Sequence, residues 1–182
     1  MNIEELRSKI DKIDTQLLKL LKERMGIVVD VGKIKNASKE NVYRPEREKA
    51  IIDRLLEEAK GKLDVTSIRA IFQEIFAASR NLELPEIISY LGPEGSFTHQ
   101  AAENNFGSTS NYLALNSIKA VFNSIETKKA KYGIIPLENN QEGVVQETID
   151  ILGKSNLFVV AELPLSISFS FATRSKSAKN IT

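Results

Sequence analysis

A single arginine interrupts an otherwise apolar helical seam at the start of the chain. From Ile3 to Ile34, apolar residues recur at alternating steps of three and four, the spacing that places side chains on one face of an α-helix. Arg24 occupies the one slot of this series that lacks an apolar side chain. The seam consists of Ile3, Leu6, Ile10, Ile13, Leu17, Leu20, Ile27, Val31 and Ile34. A helix that buries this seam also buries a guanidinium, which is costly unless a carboxylate of the protein or an anionic ligand meets it.

The length of this helix predicts a homodimer. The helical pattern runs unbroken from residue 3 to about residue 36, which is about 50 Å and too long for a small domain unless the helix packs along another chain. Lys35 shares a face with Arg24 at about 16 Å along the axis, so both side chains can converge on one small dianion. Arg7 lies about 25 Å from Arg24 in the other direction. A functional Arg7 would therefore serve a site that another chain completes.

Two shorter helices complete an all-α domain that we place at residues 1–85. Pro45 suits the first turn of the second helix, and Gly61 is expected to cap its end. Asp64 starts the third helix, and Pro85 closes it. The first domain is therefore predicted to be a three-helix unit.

Polar residues on the shorter helices suit a small, dianionic, hydroxylated ligand. Arg47 and Glu48 follow the proline of the second helix, and Ser79 and Glu83 form an i,i+4 pair on one face of the third. From the residues alone, three other readings stay open: solvated helix surfaces, a seam arginine that specifies register against a partner glutamate, and a packing role for Ser79.

Beyond residue 85 the pattern changes to alternating strands and helices. The predicted order is strand, glycine turn and helix in IISYLGPEGSFTHQAAENNF, then strand YLAL, helix SIKAVFNSIET, strand YGIIPLEN, helix VVQETIDIL and strand FVVAEL, with a last period-two element from Leu163 to Phe171. Such alternation predicts an α/β layer with a largely parallel sheet over residues 86–182. Ser96 or Thr98 can cap the helix that follows the glycine turn.

Composition excludes several kinds of chemistry. The chain has no cysteine, which excludes disulfides, thiolate zinc sites and thiol nucleophiles, and its single histidine, His99, makes a histidine-based metal cluster improbable. A net charge of +1, without a basic region, argues against nucleic acid as a partner. The charged, amphipathic start MNIEELRSKI does not resemble a signal peptide, and no apolar run approaches membrane-spanning length. The sequence therefore predicts a cytoplasmic protein with no membrane partner.

The helical domain resembles the all-helical (AroQ-type) chorismate mutases. The matching pieces are ELRSKIDKIDTQLLKLLKERM, VGKIK, YRPEREK and IFQEIFAASRNLE, at the family's spacings across residues 5–84. Members are intertwined dimers of three-helix chains with shared active sites, in agreement with the argument from Arg7. The resemblance implies conversion of chorismate to prephenate by a Claisen rearrangement that needs no cofactor and no metal.

The resemblance also implies a set of substrate-binding residues. They are Arg7, Arg24, Lys35, Arg47, Glu48, Ser79 and Glu83. By the family's pattern, Arg24 and the partner subunit's Arg7 hold the two substrate carboxylates, and Arg47 lies near them. Glu48 accepts a hydrogen bond from the ring hydroxyl, and Ser79 lines the pocket.

Lys35 and Glu83 are the catalytic residues that the resemblance implies. Lys35 donates to the ether oxygen, where charge gathers as the C–O bond breaks, and Glu83 faces the same oxygen. A glutamate donates a hydrogen bond only when protonated, whereas the glutamine of some family members donates at any pH. The residue therefore predicts an acid-biased rate profile that Glu83→Gln flattens.

The second domain resembles the first lobe of prephenate dehydratases, a periplasmic-binding-protein-like α/β unit. The motifs LGPEGSFTHQAA and YGIIPLENNQEG carry the resemblance, which covers residues 87 to about 172. It implies that prephenate is faced by Ser96, Thr98, His99, Glu138, Asn139 and Asn140. The family's second lobe, with its Thr-Arg-Phe motif, and its phenylalanine-binding regulatory domain have no counterpart in these residues.

The sequence as a whole predicts a chorismate mutase fused to a partial prephenate dehydratase in phenylalanine biosynthesis. We expect mutase activity and little or no conversion of prephenate to phenylpyruvate by this chain alone. Two alternatives stay open: an isochorismate pyruvate lyase on the same scaffold, and a non-enzymatic helical dimerisation module that carries a small-molecule-binding lobe.

Overall fold

A computed structural model of the chain describes residues 2–38, 43–59, 63–139 and 143–167. Three helices come first: α1 spans Ile3–Ser38, α2 spans Pro45–Glu58 and α3 spans Val65–Glu83. The predicted three-helix unit is confirmed, including Pro45 in the first turn of α2 and the cap at Asp64, whose carboxylate accepts from the Ser67 amide at 2.7 Å. The predicted cap at Gly61 lies outside the described residues.

Helix α1 packs on α3 only through its C-terminal part. Val28 is buried, and a Cβ added at Gly32 would lie 3.0 Å from the Glu83 Cα, so the two helix backbones approach closely there. In contrast, every residue of the apolar seam is at least 38% exposed, and Ile34 is 71% exposed. Within a single chain, the seam therefore has no cover.

The second part of the chain is a small α/β lobe. Its elements are β1 (Ile87–Leu91), α4 (Phe97–Phe106), β2 (Asn111–Leu115), α5 (Ile118–Glu126), β3 (Tyr132–Ile134), β4 (Glu138–Asn139), β5 (Gly143–Val144) and α6 (Gln146–Leu152). Strands β2, β1 and β3 form a parallel sheet in that order, and β4 pairs with β5 antiparallel. The predicted parallel α/β layer is confirmed, and the predicted boundary near residue 85 falls between α3 and β1.

Two strand predictions in the lobe are wrong. The segment YGIIPLEN is divided, because Pro136 lacks the N–H that a continuous strand donates, so β3 ends at Ile134 and β4 begins at Glu138. The segment FVVAEL forms no strand: no described strand pairs with it, and Phe158 is 87% exposed. The predicted last element is not a strand over its described residues 163–167, and its remainder lies outside them.

The helical part and the lobe are joined through α3 and the end of α4. Gly107 has φ +82°, and a Cβ there would lie 2.7 Å from the Ala77 Cβ, so glycine permits both the turn and the close approach. The Glu74 carboxylate accepts from the Ser108 amide at 2.7 Å. Tyr43, which precedes α2, is buried in the lobe's core with Ile88, Ala102 and Phe106. The helical part and the lobe are therefore packed against each other and share part of a hydrophobic core.

Candidate active site

Arg24, the arginine of the seam, contacts a hydroxyl group rather than a carboxylate. Its Nη1 donates to the Oγ of Ser79, which in turn donates to the Ile75 carbonyl at 2.6 Å. The guanidinium also lies 5.9 Å from the centre of the Phe76 ring. Among the residues that the structure describes, no carboxylate forms an ion pair with Arg24, so the site can accept an anion.

Burial is the main cause of a lowered Arg24 pKa. The carboxylates of Glu83 and Glu48 oppose this effect through their charge, whereas the charge of Arg47 adds to it. Arg24, Arg47, Glu48 and Glu83 therefore lie close enough to influence one another electrostatically. This places together four of the residues that the sequence predicts for one binding site.

Lys35 and Glu83 form an ion pair beside this cluster. The Lys35 Nζ lies 2.7 Å from Glu83 Oε2, and the two side chains are only 15% and 11% exposed. The close approach of α1 and α3 at Gly32, one turn before Lys35, brings the two groups together. The pair presents an ammonium donor and a carboxyl group at one point of the site.

Glu48 has a partner that the sequence did not reveal. Arg80 Nη1 donates to Glu48 Oε1, and the Arg80 residue is 7% exposed. Burial raises the pKa of Glu48, with the charge of Glu83 adding to the effect, whereas Arg80 and Arg24 lower it. One signal for Arg80 was available: it lies one turn after Phe76 and Ala77, both buried, and so on an inward face of α3.

Arg7 is far from the other predicted site residues. Its guanidinium pairs with Glu4 at 2.7 Å, and its side chain is 64% exposed. About 25 Å of helix separates it from Arg24 in the same chain. The structure therefore brings Arg24, Lys35, Arg47, Glu48, Ser79 and Glu83 together and leaves Arg7 apart.

The second predicted constellation surrounds the end of β1. Ser96 caps α4, its Oγ accepting from the His99 amide at 3.3 Å and donating to the Leu91 carbonyl at 3.1 Å. Thr98 Oγ1 bonds the same carbonyl. The Gly95 amide donates to His99 Nδ1 at 3.1 Å, and the imidazole stacks on Tyr90 at 4.7 Å. These contacts hold the glycine turn and its side chains in a defined arrangement.

Two further members of that constellation, Glu138 and Asn139, form β4. Glu138 and Asn139 are exposed there, and Asn140 lies outside the described residues.

No group of His, Asp or Glu side chains suited to a metal ion occurs among the residues that the structure describes. No helix in that part of the chain is long and apolar enough to span a membrane.

Comparisons with known proteins agree with the two-part architecture. Residues 6–84 match the family described as chorismate mutase type II, and residues 88–182 match the family described as prephenate dehydratase. The bifunctional chorismate mutase/prephenate dehydratase of Aquifex aeolicus is 36% identical over 183 residues, which cover 98% of this chain and 51% of the relative. The protein of the same name from Neisseria gonorrhoeae is 38% identical over 161 residues, or 88% of this chain and 44% of the relative.

The chain thus spans about half the length of these curated relatives. Among solved structures, the chorismate mutase from Helicobacter pylori in complex with prephenate is 31% identical, with a TM-score of 0.42, over 44% of this chain and 88% of that chain.

Proposed function

This chain belongs to the prephenate dehydratase family and carries a type II chorismate mutase domain ahead of the dehydratase match, and on this basis we propose that its helical part converts chorismate to prephenate. The observation that carries the proposal is the Lys35–Glu83 pair, 2.7 Å apart and largely buried beside Arg24. The proposed role is a step of phenylalanine biosynthesis in the cytoplasm.

The proposed mechanism is positioning followed by charge stabilisation. Arg24 holds one substrate carboxylate and thereby favours the compact conformer in which the two ends of the ether can react. Lys35 donates to the ether oxygen, on which negative charge gathers as the C–O bond breaks. Glu48 accepts from the ring hydroxyl. The rearrangement requires no nucleophile, and these side chains supply none.

A homodimer with shared sites is part of the proposal. The exposed seam along α1 is an apolar surface of the kind that a second copy of α1 covers, and its repeat suits helix pairing. Within one chain Arg7 is too far along α1 to reach the ligand that Arg24 binds, whereas an antiparallel α1 of the partner subunit can place its Arg7 near Arg24. In this proposal the partner subunit's Arg7 holds the second substrate carboxylate.

A turnover assay with product identification tests the proposed function. Purified protein is incubated with chorismate and, in a separate reaction, with isochorismate, and the products are separated by chromatography. Prephenate is the expected product. Pyruvate released from isochorismate would instead support the lyase alternative, and no turnover of either compound would support the non-enzymatic alternative.

The dehydratase half is proposed to bind prephenate without completing its conversion. The described residues supply one α/β lobe, with Ser96, Thr98 and His99 around its glycine turn and Glu138 and Asn139 on β4. Asn140 completes the predicted set. Supplied with prephenate, the chain is expected to form little or no phenylpyruvate, and a clear enzymatic yield of phenylpyruvate would contradict this.

Glu83 predicts the pH dependence of the mutase reaction. In the structure its carboxylate accepts from Lys35, so it becomes a donor to the ether oxygen only after it gains a proton. We expect kcat/KM for chorismate to fall as the pH rises, and Glu83→Gln to remove this fall because an amide donates at any pH. Superimposable pH profiles for the two proteins would refute the assignment.

A further inference from the structure

Arg80 connects the proposed mutase site to the dehydratase lobe. One side of its guanidinium donates through Nη1 to Glu48 on α2, and the other donates through Nη2 to the Phe106 carbonyl at 2.7 Å. Phe106 is the last residue of α4, where helix carbonyls lack partners in the helix and carry partial negative charge. One buried cation therefore bonds both halves of the chain at once.

Two aromatic rings lie within cation–π distance of this guanidinium. The Arg80 Cζ lies 5.6 Å from the centre of the Tyr43 ring and 5.7 Å from that of Phe106. The two rings are 4.9 Å apart, and both pack on Tyr132 of β3, at 5.5 Å and 5.4 Å. The position of Arg80 is thus set by the core of the lobe, and not by the helical part alone.

We propose that Arg80 is a positioning residue for chorismate turnover, and that the dehydratase lobe holds it in place to orient Glu48. This inference rests on the proposed mutase function. Arg80 donates to Oε1 of Glu48. In this proposal the bond fixes the carboxylate so that its other oxygen, Oε2, accepts from the substrate hydroxyl. The lobe thereby supports the mutase site through the bond between Arg80 and the Phe106 carbonyl.

The charged groups around Glu48 determine how the pKa of its carboxyl group changes when Arg80 is removed. Arg80 and Glu83 on α3 and Arg24 on α1 influence Glu48 through their charges. Tyr43, which directly precedes the helix α2 that carries Glu48, also lies close to it. Burial raises the pKa of Glu48, and Arg80 is the strongest influence that lowers it. Without Arg80 the pKa of Glu48 rises further. As the pH is lowered, Glu48 is therefore protonated, and loses its negative charge, at a higher pH than in the wild type.

The test is the pH profile of mutase kcat/KM in the whole chain carrying Arg80→Gln. We expect kcat/KM to fall about tenfold near neutral pH, mainly through a higher KM, because the ring hydroxyl is bound in the ground state as well as in the transition state. We also expect the acid limb of the profile to move to higher pH. The same comparison is repeated in a Glu83→Gln background, in which position 83 carries no ionisable group, so that a shift of the acid limb there is separate from any effect of Glu83.

Two further variants test whether the effect passes through Glu48 and originates in the lobe. In a Glu48→Gln background, adding Arg80→Gln should move the acid limb no further. Phe106→Leu removes one of the two aromatic rings beside Arg80, and Phe106 belongs to the lobe. This variant should move the acid limb in the same direction by a smaller amount. Arg54→Gln is the matched control, because Arg54 is an exposed arginine of α2 that pairs with Glu58.

Three outcomes decide the inference. If Arg80→Gln folds and its acid limb and KM equal those of the wild type, the inference is overturned. If it does not fold, Phe106→Leu carries the same test, and an unchanged acid limb in that variant overturns the inference. Absence of chorismate turnover in the wild type would instead contradict the proposed function, so the two failures are distinguishable.

Discussion

Lys35→Ala is expected to lower kcat/KM for chorismate by about 10²–10³-fold, the loss typical when one preorganised donor to a developing oxyanion is removed. Lys35 is only 15% exposed and is the cation nearest to Glu83, so water cannot replace its ammonium with the same orientation. The loss should appear mainly in kcat, because charge gathers on the ether oxygen only in the transition state. Steady-state kinetics with chorismate measures it.

The chain offers a matched control two residues away. Lys33 is also a lysine of α1, but its side chain is 71% exposed and pairs with Asp30 at 2.8 Å. Lys33→Ala should leave kcat within about twofold of the wild type, since exposed ion pairs contribute little. Equal losses in the two variants would contradict the role of Lys35.

A folding defect can be separated from a catalytic one. Removing Lys35 leaves the carboxylate of Glu83, which is only 11% exposed, without this ion pair. The double variant Lys35→Ala/Glu83→Gln removes that buried charge. If the single variant melts at a lower temperature, the double variant should recover stability but not turnover.

Mixing two inactive variants is expected to restore activity if the active site is shared between subunits. Arg7→Ala and Lys35→Ala each remove a residue from every site of their own homodimers. A mixed dimer has one site with Lys35 from one chain and Arg7 from the other, both native. Random pairing makes half of the dimers mixed, so about a quarter of the sites should become native.

The control for this experiment pairs two residues of the same chain's site. Arg24→Ala mixed with Lys35→Ala should restore nothing, because the structure places both residues near Glu83 in one chain. The variants are unfolded together, refolded and assayed with chorismate, and native mass spectrometry measures the fraction of mixed dimers. Recovery in the control, or none in the Arg7 mixture despite mixed dimers, would contradict shared sites.

Local patterns in the sequence determined most of the helical part. A period of three and four residues placed α1, α2 and α3, and the same period put Arg24 and Lys35 on one face of α1. Pro45 and Asp64 marked helix starts because their backbone preferences act locally. The parallel order of elements in the lobe followed from the alternation of strands and helices.

Contacts between distant segments were decided only by the tertiary structure. The bond from Arg80 to Phe106 joins residues on separate helices, and Tyr43 enters a core formed by residues more than forty positions later. FVVAEL has the composition of a strand but forms none, because a strand needs a partner for its backbone groups and none is present among the described residues. Periodicity in the sequence indicates which face of a helix or strand is buried, but only the packing of the folded chain determines which residues that face contacts. The sequence therefore indicated that Arg80 lies on a buried face of α3, and only the structure showed that it bonds both Glu48 and the lobe.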